Sequence, residues 1–243
     1  MKSNEATKAL DLVNALTSQV KKQNEIDITD ATAPLRLHLQ KAALCADGNR
    51  TAGNLLPLIK SYLKRAGKDR PLMGNICHSK KNEQFIVDGY TAFLFHKDRP
   101  EFGIFGKTKK EESVDILQIM DIKEEYIPSE EDKQINTLVW NNIHKFGAYL
   151  KSINEYEDGA QIYIFNRIFN YSFIETSVKI CGDLSQYKLT GVGDVRPIRL
   201  SSKNISAIML PCRAEDDALK FKERTLAFLK AISENSKPLK AAA

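Results

Sequence analysis

The residues of this chain that could do chemistry are scattered. "GIFGKT", residues 103–108, has the lysine and hydroxyl that follow the glycines of a phosphate-binding loop, in which backbone N–H groups cradle phosphate oxygens. That loop needs a glycine five positions before Gly106, and Glu101 stands there, so a carboxylate occupies the place of the phosphate and a plain turn is the better reading. Of the histidines, His38 and His144 fall on expected helices and His96 at a strand end, none beside a Ser or Cys in a nucleophile motif. Cys45, Cys77, Cys181 and Cys212 lie more than 30 residues apart, with only His78 adjacent to one of them, which argues for reduced thiols rather than a zinc site or a disulfide framework. The acids between 111 and 132 lack the spacing of a calcium loop. No catalytic constellation, metal site or cofactor emerges, which favours a binding protein. One stretch is unusual: "NISAIMLPCR", 204–213, is an apolar strand that ends on Pro211, Cys212 and Arg213. Proline cannot donate to a sheet ladder, so pairing stops there and the next two side chains are free to face a ligand.

The elements that must position these residues follow from periodicity and charge. Ser3 can cap a helix to about Lys22, with Ala6, Leu10, Val13, Thr17 and Val20 on one stripe. "EIDIT", 25–29, alternates like a short strand. Thr32 with Pro34 is a helix start that places Leu35, Leu39, Ala42 and Ala46 on one face before Gly48 ends it. "NLLPLIKSYLKRAG" is a second, basic helix closed by Gly67. Strands near 72–78 and 83–88 flank the turn "SKKN", and Asp88-Gly89 turns into the strand "YTAFLFH". The charged stretch from Lys107 to Gln134, with one apolar island, reads as a connector or insertion. Val139, Ile143, Phe146, Leu150 and Ile153 then mark a helix. "AQIYIFN" reads as a strand, "NYSFIETSVKICG" as a helix stopped by Gly182, and "QYKLTGVG", "PIRLSS" and "SAIMLP" as three strands. A final helix follows from about Ala214. A strand, a helix and then strands thus recur near 25–97 and near 160–211.

Composition bounds the rest. The chain has 243 residues, 42% apolar and 28% charged, enough for one large domain or two smaller ones. No apolar run approaches the roughly 20 residues of a membrane span, and the first residues lack the apolar core of a secretory signal, so a cytoplasmic protein is expected. The closing "AAA" reads as a cloning scar. The net charge of +5 is uneven. Residues 31–70 carry eight basic side chains (Arg36, Lys41, Arg50, Lys60, Lys64, Arg65, Lys68 and Arg70) against two acids, while residues 111–132 carry nine acids against Lys123. A basic segment of this kind suits a polyanion, and solvated helix faces are the plainer alternative.

Two segments carry a resemblance. "FNYSFIETSVKICGDLSQYKLTGVGDVRPIRLSSKNISAIMLPCR", 169–213, resembles the last half-domain of the bacterial DNA sliding clamp family, the beta subunit of the replicative polymerase. That family has a helix beginning Phe-Asn-x-x-Tyr-Leu with a later Leu-Lys, then strands, a Ser-Pro, and a last strand ending Met-Pro-Met-Arg. Phe169, Asn170 and Phe173-Ile174 stand at the first motif, followed by Val178-Lys179. Arg196-Pro197 stands at the second, and Leu210-Pro211-Cys212-Arg213 at the third. "RPLMGNICHSKKNEQFIVDGYTAFLF", 70–95, is similar to the family's Arg-Pro-Ile-Leu-x-Gly strand followed by Thr-Asp-Gly-Tyr-Arg. The departures are Val87 for Thr, Thr91 for Arg, Phe173 for Tyr, Cys212 for Met, and a helix after Arg213.

The resemblance implies an α+β, clamp-like fold of helices packed on antiparallel sheets with added terminal helices. It implies an organisation of an N-terminal helix over 1–24, a first unit with its acidic connector over 25–128, a second unit over 129–213, a C-terminal helix over 214–240 and the scar at 241–243. One clamp-like domain with 98–160 inserted is the alternative, as a phage or mobile-element version would suit. The implied function is non-enzymatic: association with duplex DNA, homo-oligomerisation, and recruitment of replication or repair proteins by their short linear motifs. The implied pocket is Asn170, Phe173, Leu210, Pro211, Cys212 and Arg213 with Pro197 nearby, and the implied DNA-facing residues are the eight basic side chains of 31–70. A clamp-derived interaction module that forms no ring, and an enzyme on an unrelated α+β fold, are the rival expectations.

Overall fold

A computed structural model describes residues 3–24, 29–46, 50–81, 83–96, 108–109, 116–123, 125–157, 159–191, 196–212 and 218–235. The protein is α+β and divides into two compact units, Met1–Asp88 with Phe95–Glu112, and Gly89–Leu94 with Ser113–Ala243.

In the first unit α1 (Ser3–Asn24), α2 (Thr29–Ala46) and α3 (Arg50–Asp69) pack in sequence, with α2 against both neighbours. The α1 stripe behaves as its spacing predicts: Ala6 and Thr17 are buried, and Thr17 meets Thr32 of α2, oxygen to oxygen at 3.4 Å. Packing on both sides changes the α2 stripe, which buries Leu39 and Leu44 and leaves Leu35 exposed. The helix also begins earlier than expected, so Pro34 lies inside it, forfeiting one early backbone bond. Of the strand expected at 25–29, residues 25–28 lie outside the described set and Thr29 opens α2. The α3 helix does not close at Gly67. It continues to Asp69, and Gly67 instead allows close approach: a Cβ there would lie 2.8 Å from the Gly74 Cα. Pro71–Gly74 form a 3-10 turn where the strand was expected to begin. β1 (Ile76–His78) and β2 (Gln84–Val87) then pair antiparallel, with Cys77 opposite Phe85, around a turn in which the Ser79 hydroxyl accepts from the N–H groups of Lys81 and Glu83.

The second unit takes β3 (Thr91–Phe95) up to Leu94, while the two-residue strand β4 (Thr108–Lys109) pairs parallel with β1 in the first. Part of the expected connector is structured: α4 (Ile116–Ile119) buries Ile116, and Met120 follows it into the core. Its last acids begin α5 (Glu130–Ser152), where the Ser129 hydroxyl accepts from the Asp132 N–H and Glu130, Glu131 and Asp132 complement the positive end of the helix. The strand expected over 160–166 is β5 (Gln161–Ile164), and β6 (Arg167–Asn170), which had no expectation of its own, completes a hairpin turned by Phe165 and Asn166 at φ 56° and 57°. α6 (Tyr171–Cys181) ends as expected at Gly182, whose φ is 75°. β7 (Lys188–Thr190), β8 (Ile198–Ser201) and β9 (Ile205–Met209) form an antiparallel meander, and the strand order is β3-β9-β8-β7.

The core of this unit is aromatic. Phe146 of α5 meets Phe228 of α7 (Ala218–Asn235) edge to face at 5.0 Å, an arrangement that contributes roughly 0.5–1.5 kcal/mol beyond burial. The buried Trp140 donates its indole N–H to the Gly182 carbonyl at 2.7 Å, tying α5 to the end of α6. α7 also covers the outer edge of β5: Thr225 Oγ1 accepts from the Tyr163 N–H at 3.1 Å, and the Arg224 guanidinium donates to the Gln161 carbonyl and pairs with Glu155. At the other end of the unit, Glu125 bridges to Thr190 on β7 and its carboxylate pairs with Lys188.

Candidate functional site

The end of β9, the end of β6 and the start of α6 meet in one place. Asn170 is the N-cap of α6, its side-chain oxygen accepting from the Ser172 N–H at 2.9 Å and the Ser172 hydroxyl at 2.7 Å. That capping turns Phe173 outward, half-buried, onto Tyr90, with ring centroids 5.1 Å apart and planes 18° from parallel. β9 stays buried through Met209, and then its course changes: Leu210 donates its N–H to the Tyr90 carbonyl at 2.9 Å, and Cys212 donates its N–H to Ile168 of β6 at 2.8 Å. Pro211 lies between, where no donor is needed. The Leu210 side chain is 38% exposed, so it forms surface and not core. Ile198 faces Met209 in the β8–β9 register, so Pro197, the residue before Ile198, lies just past the end of that ladder. Asn170, Phe173, Leu210 and Cys212 are therefore brought together. Arg213 lies outside the described residues.

Tyr90 belongs to this surface and was not among the residues expected to form it. Its signal was available, because the Asp-Gly-Tyr of the resembling stretch 70–95 contains it. The Cys212 thiol is pushed above its ordinary pKa by burial, against which the Asn170 N–H pulls it down, so it remains a neutral, soft contact surface at neutral pH. The fully buried Cys181 is pushed up to about 12 by the same desolvation and is inert.

The basic residues are placed less uniformly. Lys60, Lys64 and Lys68 recur every four residues along α3, with Lys64 and Lys68 exposed. Lys60 donates to Gln40 Oε1 at 2.6 Å, and burial together with the nearby Arg36 holds its ammonium below the usual lysine value. Arg65 lies 3.8 Å from the Asp88 carboxylate and over the Tyr62 ring, and Arg70 donates to the Asp88 carbonyl at 3.4 Å. Lys60, Arg65 and Arg70 thus hold part of their helix and turn in place, whereas Lys64 and Lys68 present charge to solvent. Lys41 is half-buried on α2, and the Arg50 side chain lies outside the described set.

The chain matches no protein-family model, no curated protein and no solved structure. Among the described residues no three His, Cys, Asp or Glu side chains are grouped to hold a metal ion, and no helix is long and apolar enough to cross a membrane.

A second grouping in the same unit had no sequence expectation. Asn136 of α5 is buried and spends both ends of its amide: Oδ1 accepts from the Phe165 N–H at 2.7 Å, and Nδ2 donates to the Tyr126 hydroxyl at 3.3 Å. Arg167, 3% exposed, donates to the carbonyls of Phe165 (2.8 Å) and Arg196 (3.1 Å), and its guanidinium lies over the Tyr126 ring. These bonds hold Phe165 at a positive φ that costs a bulky residue on the order of 1 kcal/mol or more. Burial raises the Tyr126 phenol above its ordinary value, so it is present as the hydroxyl. Asn136 continues the α5 stripe backward, three residues before Val139 and seven before Ile143, so its position was signalled and only its polar type pointed away from burial; Arg167 had no such signal.

Proposed function

We propose that this chain is a clamp-like protein that associates with duplex DNA and captures short apolar segments of replication or repair proteins. The observation that carries this reading is convergence. Tyr90, Asn170, Phe173, Leu210 and Cys212 come from three separated parts of the chain and meet on one surface, with the aromatic pair and Leu210 accessible. The stack of Tyr90 on Phe173 and the accessible leucine supply an apolar anchor of the kind that dominates peptide recognition. The exposed lysines of α3 support the electrostatic part, which is independent of sequence and weakens as salt rises.

Two measurements test it. Fluorescence polarisation with labelled leucine- and phenylalanine-containing pentapeptides should report saturable binding that Leu210→Asp weakens about tenfold or more while the far-UV circular dichroism stays that of the parent. Unchanged affinity in that variant would remove the surface from the proposal. Retention on closed circular DNA should fall with added salt and fall further in Lys64→Glu/Lys68→Glu; indifference to both would remove the DNA.

One observation favours the second reading, an interaction module that forms no ring. The outer edge of β5 already gives a donor and an acceptor to α7, and an edge satisfied in this way does not template another strand. Deleting residues 214–240 uncovers it. The native mass should then rise, by light scattering, from monomer towards dimer or larger; an unchanged mass would count against a blocking role for α7.

A further inference from the structure

A cavity of about 410 Å³ lies between α5, the Phe165 turn and the segment from Leu184 to Leu189, in the size range of small-molecule sites. Its walls are three rings, Tyr126, Phe165 and Tyr187, with Pro128, Leu184 and Leu189 between them. The rings are fixed before any ligand arrives. Asn136 and Arg167 hold Phe165 and Tyr126, which meet edge to face at 87°, and the Tyr187 hydroxyl donates to the Cys181 carbonyl at 3.0 Å.

A count of hydrogen bonds restricts what can bind. Among the polar side chains of the lining, Asn136 Oδ1 accepts from the Phe165 N–H and its Nδ2 donates to the Tyr126 hydroxyl, the Tyr187 hydroxyl donates to the Cys181 carbonyl, the Thr137 hydroxyl donates to the Lys133 carbonyl at 2.8 Å, and the Ser185 hydroxyl donates to Asp183 at 2.7 Å, so that the O–H of Tyr126 is the main donor left to a ligand. The interior therefore offers apolar contact and little hydrogen-bond readout. The charged lining residues are Lys133, Lys188 and Glu125. Both ammonium groups are more than half exposed, and each has one carboxylate partner, Glu130 for Lys133 and Glu125 for Lys188. An ammonium has three donors, so each lysine has capacity beyond its one partner. We propose that this cavity is a binding site for a small ring-bearing organic anion, its apolar ring system against Tyr126, Phe165 and Tyr187 and its acidic group at Lys133 and Lys188. This site is separate from the Leu210 surface and does not depend on the function proposed for it.

The chain has a single tryptophan, Trp140, whose ring centroid is 6.0 Å from that of Phe165, so it reports on the cavity directly. Titration of the full chain with 8-anilinonaphthalene-1-sulfonate, an aromatic anion, should quench Trp140 emission saturably with one probe per chain. Thr137→Phe and Ser185→Phe, each filling the cavity from an exposed position, should weaken that binding about tenfold or more. Lys133→Gln/Lys188→Gln should weaken the sulfonate about threefold or more while leaving the neutral probe N-phenyl-1-naphthylamine unchanged. Absence of saturable quenching in the parent, or quenching retained by whichever of the two filling variants keeps the parent circular dichroism and melting temperature, overturns the site. Equal weakening of both probes by the lysine pair overturns the anionic assignment.

Discussion

The Tyr90 surface and the Tyr126 cavity belong to the same unit and are both built on aromatic rings, yet they are held by different means. The first hangs on the ends of regular elements: a helix cap at Asn170, a strand end at Leu210, and two backbone bonds to Tyr90 and Ile168. The second hangs on bonds from two buried polar side chains, Asn136 on the distant α5 and Arg167 two residues along the same hairpin, to a turn with strained backbone. A site made from element ends tolerates substitution of its exposed side chains, because the backbone that presents them is secured elsewhere. A site made from buried polar groups fails when one of them is lost, because the partners left behind are then unsatisfied.

That contrast is open to direct challenge. The largest effect belongs to Asn136→Ala, which takes from the buried Phe165 N–H its acceptor and should cost about 1–3 kcal/mol in urea unfolding; a loss under about 0.5 kcal/mol would mean the network adds nothing. Phe173→Ala removes the stack on Tyr90 from a half-buried position and should cost about 1 kcal/mol while lowering peptide affinity. A stability loss equal to that of Asn136→Ala would erase the distinction between the two sites. The smallest effect concerns acid. Lys188 holds the Glu125 carboxyl below its ordinary range, so its folded pKa is lower than its unfolded one. Its contribution is present above the unfolded value, about 4.3, and is lost as pH falls through the folded value. Lys188→Met should flatten this part of the stability profile below about pH 4 without altering stability differences between Leu210 variants.

The elements were more legible than their connections. The α1 stripe, the 3.6-residue repeat of α5, the Gly182 stop of α6 and the apolar runs of β5, β8 and β9 all arise from local preference and burial, which sequence pattern records. The β5–β6 turn was hidden because Phe165 and Asn166 carry none of the glycine that normally marks such a turn; tertiary bonds impose its conformation. Gly67 was misread for the complementary reason, since its role in approaching Gly74 depends on a residue seven positions on. The surface residues Asn170, Phe173 and Leu210 were legible through resemblance to a family and not through spacing, and Tyr90 was visible in a quoted motif without being assigned. Asn136 sat on the apolar stripe of α5 and was passed over for its polar type, and Arg167 could not be found by pattern, because burial reverses the meaning of a polar residue.

The seating of α7 on β5 also fixes where this protein can be cut. Thr225 and Arg224 satisfy backbone groups that belong to a strand some 60 positions earlier, so the helix completes that unit and is not an appendage to it. A fragment meant to stay monomeric must therefore extend through Asn235. One that stops near Cys212 would carry a bare strand edge and a half-covered Phe146 into solution and should self-associate into dimers or larger species.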